Sequence, residues 1–131
     1  MKVTCKARTA RMSPPGRPMA TYEKESEFDL TVAKEYVVLA IAMWETMVLF
    51  LLADDYNLPN WHPVELFLVT DNHLGDDWFF SASIANKHGV QAIWGYEHLV
   101  RDTDHYEALL ERNPDALKIF YEEKSRREQA G

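Results

Sequence analysis

The chain opens with apolar and polar residues in alternation, Val3, Cys5 and Ala7 against Lys2, Thr4 and Lys6. A period of two is that of a half-buried strand, which predicts Cys5 as a small core residue rather than a reactive thiol. The alternation stops at Arg8. "RTARMSPPGRPMATYEKESEF" then brings three prolines and a glycine among polar groups, and Ser13-Pro14-Pro15-Gly16 can sustain neither a helix nor a central strand. Residues 8–27 are therefore expected to form a mobile, basic, proline-rich loop.

The pattern next becomes almost continuously apolar. From Val37 to Ala53 only Glu45 and Thr46 interrupt the run. A membrane-spanning helix needs about 20 apolar residues and tolerates a central acid poorly, so no span is expected. The abundance of Ala, Met and Leu would suit a buried helix. Val32, Tyr36, Val37, Val38, Ile41 and Val48 favour a hairpin instead, with strands over Glu35–Met43 and Met47–Ala53 and a turn near Trp44-Glu45-Thr46.

"DDYNLPN" is a cluster of turn formers, since Asp and Asn bond their own backbone and Pro fixes φ. "WHPVELFLVTD" resumes as one extended segment, and Pro63 confines its start to a strand edge or a first position. "DNHLGDD" turns, "WFFSASI" is a further strand, and "NKHGVQ" turns again before "AIWGYEHLV". The last third changes to helical signals. Thr103 is the expected cap of a helix over "DHYEALLER", with Asp104 at its positive end. Asn113-Pro114-Asp115 breaks it and starts a second helix whose stripe is Ala116, Leu117, Phe120 and Tyr121. "EEKSRREQAG" reads as a solvated, frayed end. The predicted fold class is α+β: a small, strongly bent antiparallel sheet or an SH3-like β-barrel, followed by one or two C-terminal helices. A single domain is expected, with a β-rich core over 28–100 and helices within 103–127.

Composition narrows the functional classes. A chain of 131 residues, 47% apolar and 12% aromatic, can bury a modest core without staples. The one cysteine excludes an internal disulfide and a cysteine-based zinc site, and fits a reduced, cytoplasmic setting. No continuous apolar stretch of a secretion signal is visible near the start. The net charge of −7 is uneven: residues 1–20 hold five basic residues and no acid, while the remainder holds 9 basic and 21 acidic residues. So acidic a body repels phosphates and attracts a basic partner, although it also simply favours solubility.

The order of these pieces resembles a group of small, mostly uncharacterised bacterial and phage proteins with an SH3-like β-barrel. The resemblance rests on "MKVTC", on "LTVAKEYVVL" at Leu30–Leu39 (often with Gly where Ala33 stands), on "VLFLLADD", and on the W-x-P-x-x-L-F phrase at Trp61–Phe67. It covers residues 1–7 and roughly 28–70. It departs at the basic insertion, at Ala33, and at Tyr56–Asn60, where a compact Asp-Gly turn would be usual. The resemblance implies strands on both sides of Glu45 and carries no catalytic residues across. It also implies an association with mobile or competition loci, where some small acidic proteins act as toxin immunity factors.

Recognised chemistry is largely absent. A calcium loop starting at Asp55 would put Asn57 and Pro59 at positions three and five, but Asn60 stands where Gly is required and Leu66 where a bidentate Glu belongs. The five histidines include no H-x-x-x-H pair, and Arg101-Asp102-Thr103 separates His98 from His105. Neither phosphate-loop pattern occurs, and Ser81 and Ser83 lack a nucleophile-elbow setting. No catalytic residue, metal or cofactor is assigned. The leading expectation is a non-enzymatic protein-binding module, immunity- or antitoxin-like, whose acidic surface caps a basic protein. Its contact candidates are Asp54, Asp55, Trp61, Asp71, Asp76, Asp77 and Trp78, because an exposed Trp beside acids makes a good hot spot. The alternative is a small enzyme that combines these carboxylates with His62 or His73. Nucleic acid binding is disfavoured and would have to use Arg8, Arg11 and Arg17.

Overall fold

In the computed structural model, residues 1–9, 27–82 and 89–130 are described. Among these residues eight strands form two antiparallel sheets: β1 Lys2–Cys5, β2 Glu35–Val37, β3 Ala40–Trp44, β4 Met47–Ala53, β5 Pro59–Pro63, β6 Phe67–Asp71, β7 Phe79–Ser81 and β8 Val90–Gly95. One sheet has the order β2-β1-β6, the other β5-β4-β3-β8-β7. Three helices follow, α1 Glu97–Arg101, α2 Thr103–Leu110 and α3 Pro114–Ala130. The fold is α+β, with the bent-sheet arrangement rather than a closed barrel. No ladder joins the two sheets among the described residues, because each passes its chain to the other through a bend instead of a shared strand.

The apolar run is a hairpin. Trp44 pairs with Met47 and Ala40 with Leu51, leaving Glu45-Thr46 as a two-residue turn in which Glu45 takes φ 54°. The unbroken apolar character of β4 has a packing cause: both of its faces are covered. Leu51 and Ala53 enter a core with Leu39, Ile93, Tyr96, Leu99, Leu109 and Phe120, beneath the helices. Phe50 and Leu52 enter a second core with Val3, Cys5, Leu30, Tyr36, Val38, Leu66 and Phe67, beneath the small sheet. The expected alternation of β1 holds, with Val3, Cys5 and Ala7 all buried.

Two predicted strands are each split in two. Glu35–Met43 breaks at Val38-Leu39, both fully buried, where the chain leaves the small sheet for the large one. Trp61–Asp71 breaks at a 3-10 turn, Val64–Leu66, after Pro63; Leu66 is buried at the crossing. Pro59 and Pro63 lie on β5, the edge of the large sheet, where the missing N–H groups cost no ladder bond.

The C-terminal segment also differs from expectation. A further short helix, α1, follows β8 directly, and Asp102 rather than Thr103 caps α2, its carboxylate accepting from the amide of Asp104 at 2.9 Å. Asn113 caps α3 through the amide of Asp115 at 2.9 Å, leaving Pro114 at the first helical position. The end expected to fray is helical to Ala130. Residues 10–26 of the expected loop, and most of the "SASIANKH" stretch, lie outside the described residues. The two ends of that loop meet: Thr9 bridges Glu27, and the amide of Phe28 donates to the Arg8 carbonyl at 2.8 Å.

Candidate functional site

The turn Asp54–Asn60 is built around one carboxylate. Asp54 is only 6% exposed. Its Oδ1 accepts from the amides of Tyr56 and Leu58 at 2.9 and 3.1 Å, and its Oδ2 from Asn60 Nδ2 at 2.8 Å. Asn57 takes φ 60°, a conformation that Asn tolerates better than most residues. The helices brace the turn from outside: Arg112 Nη2 donates to Asn60 Oδ1 at 3.0 Å, and the Tyr121 hydroxyl to the Asn57 carbonyl at 2.6 Å. Asp54 was expected to be an exposed contact; it is instead the organiser of the turn.

Asp55 points the other way. It accepts from the Thr31 hydroxyl (2.6 Å), the Tyr36 hydroxyl (2.6 Å) and Lys34 Nζ (3.1 Å). The Thr31 and Tyr36 hydrogen bonds favour its ionised form and hold the carboxyl at about 2, against the small opposing effect of burial. Burial, reinforced by the bond to Asp55, pushes the Tyr36 hydroxyl up to about 12. The Asp55 amide donates to the Asp29 carbonyl at 2.8 Å, tying the Glu27–Asp29 segment to the turn. This network opens on a pocket of about 390 Å³ lined by Lys2, Lys34, Glu35 and Lys124 among others.

On its other side the turn walls a second pocket, of about 370 Å³. Glu27, Phe28, Asp29, Asp54, Asn60, Trp61, His62 and Leu110 line it. All its acids come from two short segments that Asp55 and Asp54 hold in place, and its flat walls are Phe28 and Trp61. Trp61 is half-buried, its ring centroid 6.0 Å from that of Tyr106 on α2. His62 is 2% exposed and sits between Phe28 (5.7 Å) and Phe67 (6.2 Å), its Nδ1 without a partner among the described residues. Burial pushes its pKa down to about 4, so the ring is neutral at pH 7. It has the surroundings of a packed core side chain. His73, the other histidine named for an enzymatic reading, is exposed on the β6–β7 loop, so the two are not brought together.

The remaining contact candidates occupy a different region, the end of β6 and the β6–β7 loop. Asp71 is exposed and accepts from the His73 amide at 3.0 Å, which with nearby cations holds its carboxyl below the usual range. Asp76 is exposed. Asp77 is held by Arg126 (2.8 Å) and Arg127 (3.0 Å); burial works against its ionisation, but the two guanidinium bonds prevail and its pKa is lowered. Trp78 is half-buried with Arg127 over its ring, 6.0 Å from the centroid, rather than freely displayed. The seven residues therefore form two groups, not one surface. Glu27, Phe28, Asp29 and Asn60 were missed by sequence reasoning: the first three border the proline-rich stretch, and nothing in their spacing marks them as a wall.

Among the described residues no group of three or more His, Cys, Asp or Glu is placed to hold a metal ion, and no helix is long and apolar enough to cross a membrane. No family model, curated protein or solved structure matches the chain.

Proposed function

We propose that the protein is a non-enzymatic binding module for a basic protein, and that the pocket beside the Asp54–Asn60 turn receives a lysine or arginine side chain of that partner. One observation carries this reading: among the described residues, every charged residue lining the pocket is an acid, Glu27, Asp29 and Asp54, while Phe28 and Trp61 supply aromatic walls. A long basic side chain matches both features, laying its methylene stem on the rings and its charge among the carboxylates. A cation over an aromatic face contributes about 0.5–2 kcal/mol depending on desolvation. Asp54 retains acceptor capacity for it, since a carboxylate has about four acceptor positions and the turn uses three. Among the described residues Glu27 is held by Arg8 at 3.4 Å, with both side chains more than half exposed, and such a pair exchanges readily for a better one.

An immunity- or antitoxin-like role is the form of this reading that the acidic charge and the resemblance favour. A cytoplasmic setting suits the lone buried Cys5. The test is titration with a lysine- and arginine-rich decapeptide against an acidic decapeptide of equal length. The basic peptide should bind, and Asp29→Lys should abolish its binding. Equal binding of both peptides, or indifference to Asp29→Lys, would refute the reading.

A further inference from the structure

The loop between β6 and β7 is clamped from α3, with Arg126 and Arg127 both on the carboxylate of Asp77. Within the loop the chain folds back so that the Trp78 amide donates to the Gly75 carbonyl at 3.0 Å. Gly75 lies against the indole: a Cβ there would stand 2.6 Å from Trp78 Nε1 and 2.8 Å from Arg127 Nη1, so only glycine fits. The indole N–H and the guanidinium thus converge on one point of the chain.

Two donors in this corner, Trp78 Nε1–H and Arg127 Nε–H, are buried with no acceptor among the described residues. Folded proteins leave few such groups, and two in one corner call for an explanation. Both residues line a cavity of about 160 Å³, together with Lys2, His73 and Asp71. Asp71 is the one carboxylate on that lining among the described residues, and its Oδ1 already accepts from the His73 amide.

We propose that this cavity binds a small oxyanion, a carboxylate or phosphate group, whose oxygens accept from Trp78 Nε1–H and Arg127 Nε–H. Both missing partners are acceptors, so an acceptor-rich ligand meets the need, while a cation or an apolar group leaves both donors unmet. Arg127 Nη1 and Nη2 are engaged by Asp77 and Glu123, so Nε–H is the guanidinium donor that remains for the anion, and Lys2 adds charge at the same wall. Both N–H groups are covered as the loop stands, so entry shifts the indole off Gly75 and binding registers at Trp78. The preference is opposite in sign to that of the acidic pocket and does not depend on it.

The test uses the full chain labelled with nitrogen-15, observing the indole N–H signals of its four tryptophans. Sodium phosphate and sodium acetate are titrated separately, with sodium chloride at matched ionic strength. The signal missing from Trp78→Phe should move saturably with at least one oxyanion and not with chloride. A response to phosphate alone identifies a phosphoryl ligand, to acetate alone a carboxylate, and to both an oxyanion site of either kind. Arg127→Lys, which keeps the charge but removes Nε–H, should weaken binding at least tenfold. No saturable shift, a shift equal to that with chloride, or unchanged affinity in Arg127→Lys would overturn the proposal. If that variant does not fold, calorimetry of the anion with Trp78→Phe decides: a loss of fivefold or more supports the site, and unchanged affinity overturns it.

Discussion

Replacing Asp54 by alanine should unfold the turn that forms the pocket wall. Three donors lose their acceptor at once: the Tyr56 and Leu58 amides and Asn60 Nδ2. A hydrogen bond to a charged group contributes about 1.5–3 kcal/mol net, so the sum starts above about 4 kcal/mol. Some of it is recovered, because Tyr56 is 72% exposed and its amide can turn to water. The expected loss is about 3 kcal/mol, or roughly 8–15 °C in melting temperature for a chain of this size. Asp54→Asn should lose only about 1–2 kcal/mol, since a side-chain oxygen still serves both amides while a new amino group confronts Asn60 Nδ2, donor to donor. Urea unfolding followed by tryptophan fluorescence measures both. A loss below about 0.5 kcal/mol for Asp54→Ala, or equal losses for the two variants, would refute the claim that this side chain organises the turn.

Other expectations follow from single observations. Ala33 sits at φ 74°, and Ala33→Gly should raise stability by about 0.5 kcal/mol, the relieved strain exceeding the added freedom of the unfolded chain; a lower urea midpoint would contradict it. His62 is depressed to about 4 by burial, so the unfolded chain takes up its proton first and stability falls as pH drops from about 6.5 towards 4. The effect is on the order of 3 kcal/mol at full protonation, and His62→Leu should flatten that part of the pH–stability curve. Asp55 acts in the same direction at lower pH, its folded pKa of about 2 lying below the ordinary 3.8; its stabilisation persists above about pH 4 and is lost below, so Asp55→Asn should remove only the lower limb. Burial raises the Cys5 thiol, so alkylation of the native protein should be far slower than in denaturant, and equal rates would place the thiol outside the core.

The β-rich plan was legible because its signals are local and physical. Alternation placed Val3, Cys5 and Ala7 in the core, and the β-branched residues flanking Glu45 marked a hairpin whose second strand is buried on both faces. What the sequence hid were the places where the chain changes sheets. Val38-Leu39 and Val64–Leu66 are apolar within apolar runs, so burial at a crossing looks the same as burial within a strand. Helix α1 is five residues long, too short for a periodic stripe to show. The turn at Asp54 was recognised from its residue types, yet its most functional-looking carboxylate proved to be directed inward. The pocket escaped notice because part of its lining comes from Glu27, Phe28 and Asp29, brought to Trp61 by contacts as distant in sequence as Asp55 to Asp29. The paired donors of Trp78 and Arg127 are likewise 49 residues apart in the numbering, and no spacing rule connects them.

The most direct test of the account is the salt dependence of basic-peptide binding in the wild type and in a pocket variant. At 50 mM salt the basic decapeptide should quench or shift Trp61 fluorescence saturably, and raising salt to about 0.5 M, where screening acts within a few ångströms, should weaken it at least tenfold. Asp29→Lys should eliminate the response at low salt, whereas Asp115→Lys, an exposed acid at the start of α3, should reduce it only slightly. Binding that is indifferent to salt, or that Asp115→Lys disrupts as much as Asp29→Lys, would contradict a basic side chain seated beside the Asp54–Asn60 turn.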